Sequence, residues 1–180
     1  MTLEKYKNLS KKSPKEAAGI VGEVDKRNYL AHTIRDIELA ILQTQGKHYH
    51  IITCTSANSR KSKIIFRDHC CEIWLTCEHE EINEREIRLI LAHELGHVVY
   101  NIDKLKNPEI LENKNLSDEE EIYAWRFAYF LIDKKSFEHQ GDMQRGKFVY
   151  GPGELKKSIT YILAKRKPEI CDAVINSLST

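Results

Sequence analysis

Apolar positions recur along the chain with two different periods, and each period predicts a type of element. A helical spacing covers residues 14–46, with Pro14 in a first turn and Gly46 at the end. Gly19 and Gly22 allow this stretch to be two helices rather than one. Three short segments rich in β-branched and aromatic residues then predict strands, which we expect to form a small antiparallel sheet: 48–55, 63–66 and 71–76.

The second half of the chain has a mostly helical pattern. One helix is predicted from Asn83, as N-cap, to about Asn101, and another from Ser117 to Leu131, where Ser117 and Glu120 match a capping box. The segments 103–115 and 141–153 are polar or contain glycine and predict loops, the first with short helices. Two terminal helices follow, over 155–167 and 169–178. With no internal repeat or linker, the pattern predicts one α+β domain over residues 1–180.

Composition and charge exclude several classes of protein. The chain is 41% hydrophobic and 31% charged, which is typical of a globular protein, and its 28 basic and 27 acidic residues create no overall attraction to nucleic acid or membrane. Basic residues do concentrate in the first fifteen positions and in 156–167, and glutamates in 78–86. Contact with an acidic partner or DNA is one interpretation. We favour solvated termini and an exposed helix face, because aromatic residues are not interleaved at a binding spacing.

Membrane and secretory features are not expected. No run of about 18 apolar residues occurs, and the basic N-terminal segment is not followed by an apolar core. Five cysteines, two of them adjacent at Cys70 and Cys71, make a poor disulfide framework. We therefore expect a cytoplasmic protein without a membrane partner and without direct nucleic-acid binding.

One pentad carries candidate chemistry: His93-Glu-Leu-Gly-His97, an H-E-x-x-H motif. On a helix, residues four apart lie about 40° from each other around the axis, so both imidazoles can reach one metal ion, and imidazole suits zinc. Glu94, about 100° further round, is placed to reach a water on that ion, as metal-assisted hydrolysis requires. The flanking residues are apolar, and Gly96 predicts a close backbone approach beside a metal or substrate. The alternative is a hydrogen-bonded pair of core histidines with Glu94 as an ion-pair partner.

A third metal ligand is expected from a neighbouring element, because hydrolytic zinc sites use three protein ligands and one open position. Glu121 is the candidate, since Ala124 and Ala128 lie on the same stripe of its helix and are small enough for close packing. Glu119 and Glu120 are expected to serve the helix N-terminus and solvent. The alternative is that all three glutamates form a solvated acidic first turn.

The two motifs together resemble a known family. HELGH, followed after about 24 residues by E-x-x-A-x-x-F-A, is similar to the ImmA/IrrE metallopeptidases of bacteria and phages over roughly residues 45–135. The resemblance implies a zincin-like fold, with the small sheet packed beside the active-site helix. It also implies cleavage of a protein substrate, often a helix-turn-helix transcriptional repressor of a phage or mobile element. Trp125 stands where the family usually has Asn, and the Leu-Ile-Asp-Lys segment from Leu131 replaces the common Leu-Leu-Met-Pro.

Residue roles follow from the resemblance position by position. His93, His97 and Glu121 match the zinc ligands, and Glu94 matches the catalytic glutamate. We expect hydrolysis of a peptide bond, with Glu94 taking a proton from water and returning it to the leaving amine. The group that stabilises the oxyanion stays open among three candidates: Tyr100, Tyr123 and His139.

Two other functions are compatible with the sequence. One is a non-catalytic regulator that binds a repressor and uses zinc for structure. The other is a SprT-like protease, in which His139 would replace Glu121 as third ligand. A second cluster, His69-Cys70-Cys71 with Cys77 and His79, matches no zinc knuckle, and buried cysteines on strands are favoured over a metal site.

Overall fold

The described part of the chain folds as one helix, a small sheet and four further helices. The structure is a computed structural model that describes residues 30–56, 62–76, 84–107, 111, 115–138, 150 and 153–178. Its elements are α1 (Ala31–Gln45), β1 (His50–Ser56), β2 (Lys63–Phe66), β3 (Cys70–Thr76), α2 (Glu84–Tyr100), a 3-10 helix (Ile102–Lys106), α3 (Asp118–Glu138), α4 (Glu154–Arg166) and α5 (Pro168–Ser177). The predicted α+β class, mostly helical, is confirmed.

Most element boundaries lie close to the predicted ones. Gly46 ends α1 with a left-handed backbone (φ 65°), and its N–H donates to the carbonyl of Leu42 at 2.8 Å. The helix α3 continues past the predicted end at Leu131 to Glu138. The first part of the predicted 14–46 helix, the Asn83 cap and most of the predicted loop 141–153 lie outside the described residues.

The sheet has mixed strand directions, so the prediction of an antiparallel sheet is wrong. Its order is β1-β3-β2, with β3 parallel to β1 and antiparallel to β2. The short connection 67–69 closes β2 and β3 as an antiparallel hairpin, which leaves the other edge of β3 for β1. Alternation of side chains along a strand is the same in both directions, so the pattern alone could not distinguish them.

The helix α2 crosses the interior, as its apolar flanks predict. Every residue from 88 to 98 is buried, and α2 packs against β2 and β3 on one side and α3 on the other. Four ionisable side chains are therefore held out of water within this core segment: Arg88, His93, Glu94 and His97. Because buried ionisable groups need a partner or a ligand, this segment is a candidate functional site.

The helices α2 and α3 approach each other closely at Gly96. A Cβ atom on Gly96 would lie 2.7 Å from the Cα and 2.9 Å from the carbonyl oxygen of Ala124. Ala124 and Ala128 are both fully buried, as expected for a stripe of small residues. The predicted close approach is therefore present, but its partner is a neighbouring helix rather than a metal or substrate. It brings the first turn of α3 alongside the two histidines of α2.

The C-terminal helices α4 and α5 pack against α3. Ile159 and Leu163 of α4 and Val174 of α5 are buried in the common core, and both helices contact α3. The turn at Lys167 that joins α4 to α5 consequently lies next to the beginning of α3. Among the helices that the structure describes, none is both long and apolar enough to cross a membrane.

Candidate metal centre

Three predicted ligands meet in the interior. The Nε2 atoms of His93 and His97 are 3.2 Å apart, the Oε2 atom of Glu121 is 3.5 Å from His93 Nε2, and its Oε1 atom is 3.8 Å from His97 Nε2. All three residues are buried. Within the described residues, this is the single group of three or more His, Cys, Asp or Glu side chains whose ligand atoms lie within 4.8 Å of one another. The group could hold a metal ion.

The spacing of the donor atoms fits a small tetrahedral ion. Ligands about 2.0–2.1 Å from a tetrahedral zinc ion are separated from each other by about 3.3 Å. The two imidazole nitrogens, 3.2 Å apart, are close to that separation, and each lies 3.5–3.8 Å from one of the two oxygens of the Glu121 carboxylate. Two imidazoles and one carboxylate are also a donor set that catalytic zinc uses. The residues present therefore fit zinc, although the donor set does not by itself specify the metal.

A buried carboxylate orients His97. The Oε1 atom of Glu120 is 3.2 Å from Nδ1 of His97 and accepts a hydrogen bond from the Asn101 amide at 2.6 Å. Asn101 also donates to the carbonyl of His97 at 2.9 Å. A proton on Nδ1 facing the carboxylate leaves the lone pair of Nε2 directed toward His93 and Glu121. Metal-binding histidines commonly make such a hydrogen bond through the ring nitrogen that does not bind the metal.

The expectation that Glu120 faces solvent is therefore wrong. Glu120 is fully buried, whereas Glu119 is exposed as predicted. Ser117 does cap the helix, because its Oγ atom accepts from the Glu120 N–H at 3.3 Å. The capping-box match predicted a role for Glu120 at the helix N-terminus, so its buried contact with His97 was not predicted. The spacing of Asn101, four residues after His97 on the same helix face, was the signal that could have located this network.

His93 is held by stacking and kept neutral by its surroundings. Its ring lies on Trp125, with ring centroids 4.1 Å apart and planes inclined by 29°. Burial, reinforced by the charges of His97, Lys167 and Arg166, holds the pKa of His93 well below its usual value. A neutral imidazole is the form that binds a metal. Trp125, where the resembled family usually has Asn, thus supports the site as a packing surface.

Glu94 lines the same cleft as the three candidate ligands and is not one of them. It is 7% exposed and lines the same cleft. Burial raises the pKa of its carboxyl to about 7, an effect that His97 opposes and Glu121 increases. Both the protonated and the ionised form of Glu94 are therefore accessible near neutral pH, as a group that takes up and releases a proton requires.

Lys167 reaches this site from a distant part of the chain. Its Nζ atom donates to Oε1 of Glu121 at 2.6 Å. Lys167 belongs to the basic cluster 156–167, which was expected to be solvated, and the 46 positions between Lys167 and Glu121 leave no local signal for this contact. The ammonium group supplies a positive charge beside the carboxylate of the candidate third ligand.

The site opens into a cleft of about 670 Å³ between β2, α2, α3 and the end of α4. Tyr100 and Tyr123 do not line it. Their rings pack on each other, with centroids 5.3 Å apart, beside a separate apolar surface of α3. His139, the third candidate for the oxyanion role and the alternative ligand, lies outside the described residues.

The cysteine cluster is divided between surface and core. Cys71 is fully buried on β3, and burial raises the pKa of its thiol, whereas Cys70 is half-buried and His69 is exposed. The interpretation of Cys71 as a buried strand cysteine is consistent with this position. Cys77 and His79 lie outside the described residues.

Comparison with known protein families, with characterised proteins and with solved structures finds no significant match to this chain.

Proposed function

We propose that this protein is a zinc-dependent metallopeptidase of zincin-like fold and ImmA/IrrE type, which hydrolyses a peptide bond in a protein substrate. The substrate that the motif resemblance suggests is a helix-turn-helix transcriptional repressor of a phage or mobile element. One observation carries the proposal: His93, His97 and Glu121 bring three ligand atoms within 4.8 Å of one another, and Glu94 lines the same cleft.

The proposed roles divide between binding and proton transfer. His93, His97 and Glu121 hold the ion, and Glu120 keeps His97 in the tautomer that binds it. When bound, zinc would acidify a water molecule and polarise the scissile carbonyl. Glu94 takes the proton from the water and passes it to the nitrogen of the leaving amine. Its position next to His93, outside the ligand set, suits this role.

The edge of the sheet offers a place for an extended substrate. The strand β2 is the last strand of the described sheet, and Lys63, Ile64 and Phe66 line the cleft. A peptide that adds to this edge gains backbone hydrogen bonds with little dependence on its side chains. We propose that the scissile bond is presented to Glu94 in this way.

Metal content tests the ligand set. Protein purified without added metal is compared by elemental analysis with His97→Ala, Glu121→Ala and, as a matched control, Glu119→Ala. We expect about one zinc per chain in the wild type and in the control, and loss of zinc in the two ligand variants. Zinc that survives both ligand substitutions would place the ion elsewhere and contradict the proposed centre.

Peptide cleavage tests the activity. Zinc-loaded wild type and Glu94→Gln are incubated with a library of internally quenched peptides. We expect the variant to bind zinc normally and to lose cleavage by roughly 100-fold or more, because it lacks the group that moves the proton. Zinc binding without cleavage by the wild type would favour the non-catalytic regulator, whereas full cleavage by Glu94→Gln would contradict the proposed role of Glu94.

A further inference from the structure

Over the part of the chain that the structure describes, the open part of the cleft carries charge of one sign. Among its described lining residues, the acidic ones, Glu94, Glu120 and Glu121, are all buried in the candidate centre. The charged side chains that reach solvent are basic. They are Lys63 on β2, and Lys165, Arg166 and Lys167 at the end of α4.

This concentration of positive charge is local. The whole chain has a formal net charge of only +1, so the basic rim of the cleft does not reflect an overall basic composition. Basic residues at the end of α4 also complement the helix dipole, and this effect is sufficient to account for Lys165 and Arg166. It does not account for Lys63, which lies on a strand and faces the same cleft.

Two of these side chains are available to a ligand. Lys167 is paired with Glu121, and Lys165 contacts the hydroxyl and ring of Tyr161. Lys63 and Arg166 form no ion pair with another described residue. Exposed cations without a partner lose little hydration when they meet a carboxylate, and guanidinium can bind it through two hydrogen bonds.

We propose that Lys63 and Arg166 select substrates whose side chains near the cleaved bond are acidic. This inference rests on the proposed peptidase function for its cleavage step, but the preference itself is a property of binding. Lys63 lies on the edge strand and Arg166 lines the same cleft, so carboxylates of an extended peptide that adds to β2 can meet both cations.

Peptide is favoured over nucleic acid by the aromatic residues of the cleft. Binding of single strands combines cations with exposed aromatic faces on which bases stack. The aromatic lining residues among those described are Phe66 and Trp125, each only 4% exposed, and Trp125 is already stacked on His93. The edge of β2 instead offers backbone groups that match a peptide.

The test measures binding apart from cleavage. A fluorescently labelled glutamate-rich peptide is titrated with the Glu94→Gln protein, which keeps the peptide intact, and compared with glutamine and lysine counterparts of the same length. Lys63→Gln and Arg166→Gln are added in the same background. Lys157→Gln is the matched control, because it removes one exposed positive charge from α4 outside the cleft. Urea unfolding confirms that each variant is folded.

We expect the glutamate peptide to bind most tightly, and each cleft variant to weaken its binding roughly two- to fivefold, as for an exposed ion pair. Lys157→Gln should leave binding unchanged, and added salt should reduce the preference. Equal binding of the three peptides, no binding of the glutamate peptide, or an equal loss in Lys157→Gln would overturn the inference. So would tighter binding of a thymidine oligonucleotide of the same charge that is lost in the same variants.

Cleavage of the same peptides by the zinc-loaded wild type separates the two proposals. Cleavage of all three at the same rate would support the peptidase and overturn the charge preference. Preferential binding of the glutamate peptide without cleavage would support the acidic-ligand surface and contradict the peptidase.

Discussion

The two sides of the cleft differ in the exposure of their charged groups. The buried side, formed by His93, His97, Glu120 and Glu121 on α2 and α3, holds ionisable groups out of water and joins them to one another. The open side, formed by Lys63 and Arg166 on β2 and α4, leaves its charges in solvent. A buried charge without a partner is costly, whereas an exposed one is not. Buried groups therefore specify geometry, and exposed groups remain available for a ligand.

Loss of the Glu120 charge is the largest expected effect on the buried side. Glu120→Gln should weaken zinc binding by roughly 10- to 100-fold, because His97 loses the carboxylate that fixes its tautomer and raises its basicity. Zinc affinity is measured by competition with a chromophoric chelator. Glu119→Gln makes the same chemical change one residue earlier, on the exposed side of the helix, and should have no effect. Equal losses in both variants would mean that charge at the helix N-terminus, rather than the contact with His97, is responsible.

The contact between α2 and α3 predicts an unusual response at Gly96. Helix propensity alone predicts that Gly96→Ala stabilises the protein by about 1 kcal/mol. We expect the opposite, a decrease of about 1–3 kcal/mol in the free energy of unfolding, because the new Cβ would lie 2.7 Å from the Cα of Ala124. Urea unfolding distinguishes the two signs. A more stable Gly96→Ala protein would show that the two helices are less closely packed than described.

The buried side also predicts a compensated pH dependence in metal-free protein. His93, with an ordinary pKa of 6.5, is protonated in the unfolded chain near pH 5.5 but neutral when folded. Glu94, with an ordinary pKa of 4.5, is ionised in the unfolded chain at that pH, but its pKa of about 7 keeps it protonated when folded. Each state then binds one proton, and the two contributions to stability offset each other.

Removing either group should reveal the pH dependence that the other contributes to the free energy of unfolding. In Glu94→Gln, the free energy of unfolding should fall as the pH drops below 6.5, with a slope of at most about 1.4 kcal/mol per unit. In His93→Gln, it should rise as the pH drops from 7 toward 5. Urea unfolding with a chelator present measures both slopes. Two variants with the same slope as the wild type would contradict this account.

A smaller effect is expected at Lys167, which links the two sides of the cleft. Lys167→Met should strengthen zinc binding about three- to tenfold, because an ammonium group 2.6 Å from Glu121 repels a metal ion at that carboxylate. Lys157→Met, also on the C-terminal helices and outside the cleft, is the control and should bind zinc as the wild type does. Weaker binding in Lys167→Met would instead indicate that the lysine positions Glu121 for the metal.

Local patterns were sufficient to predict the elements and part of the site. The apolar runs on either side of the H-E-x-x-H motif located α2 and its passage through the core, since apolar residues all round a helix favour its burial. The i, i+4 spacing of His93 and His97 places both rings on one face whatever the rest of the fold does. Glu121 was predictable because the small residues Ala124 and Ala128 mark the face of α3 that packs closely.

Only the tertiary structure decided the remaining features, because they depend on contacts between distant segments. Strand direction in the sheet depends on which edge of β3 is left open. The alternation of side chains along a strand is the same in parallel and antiparallel pairs and cannot distinguish them. The burial of Glu120 depends on how α3 is rotated against α2. Lys167 meets Glu121 because α4 and α5 pack beside α3. Residue type and spacing thus determined which groups the chain offers for a metal, whereas packing determined which charges are paired with each other and which face the cleft.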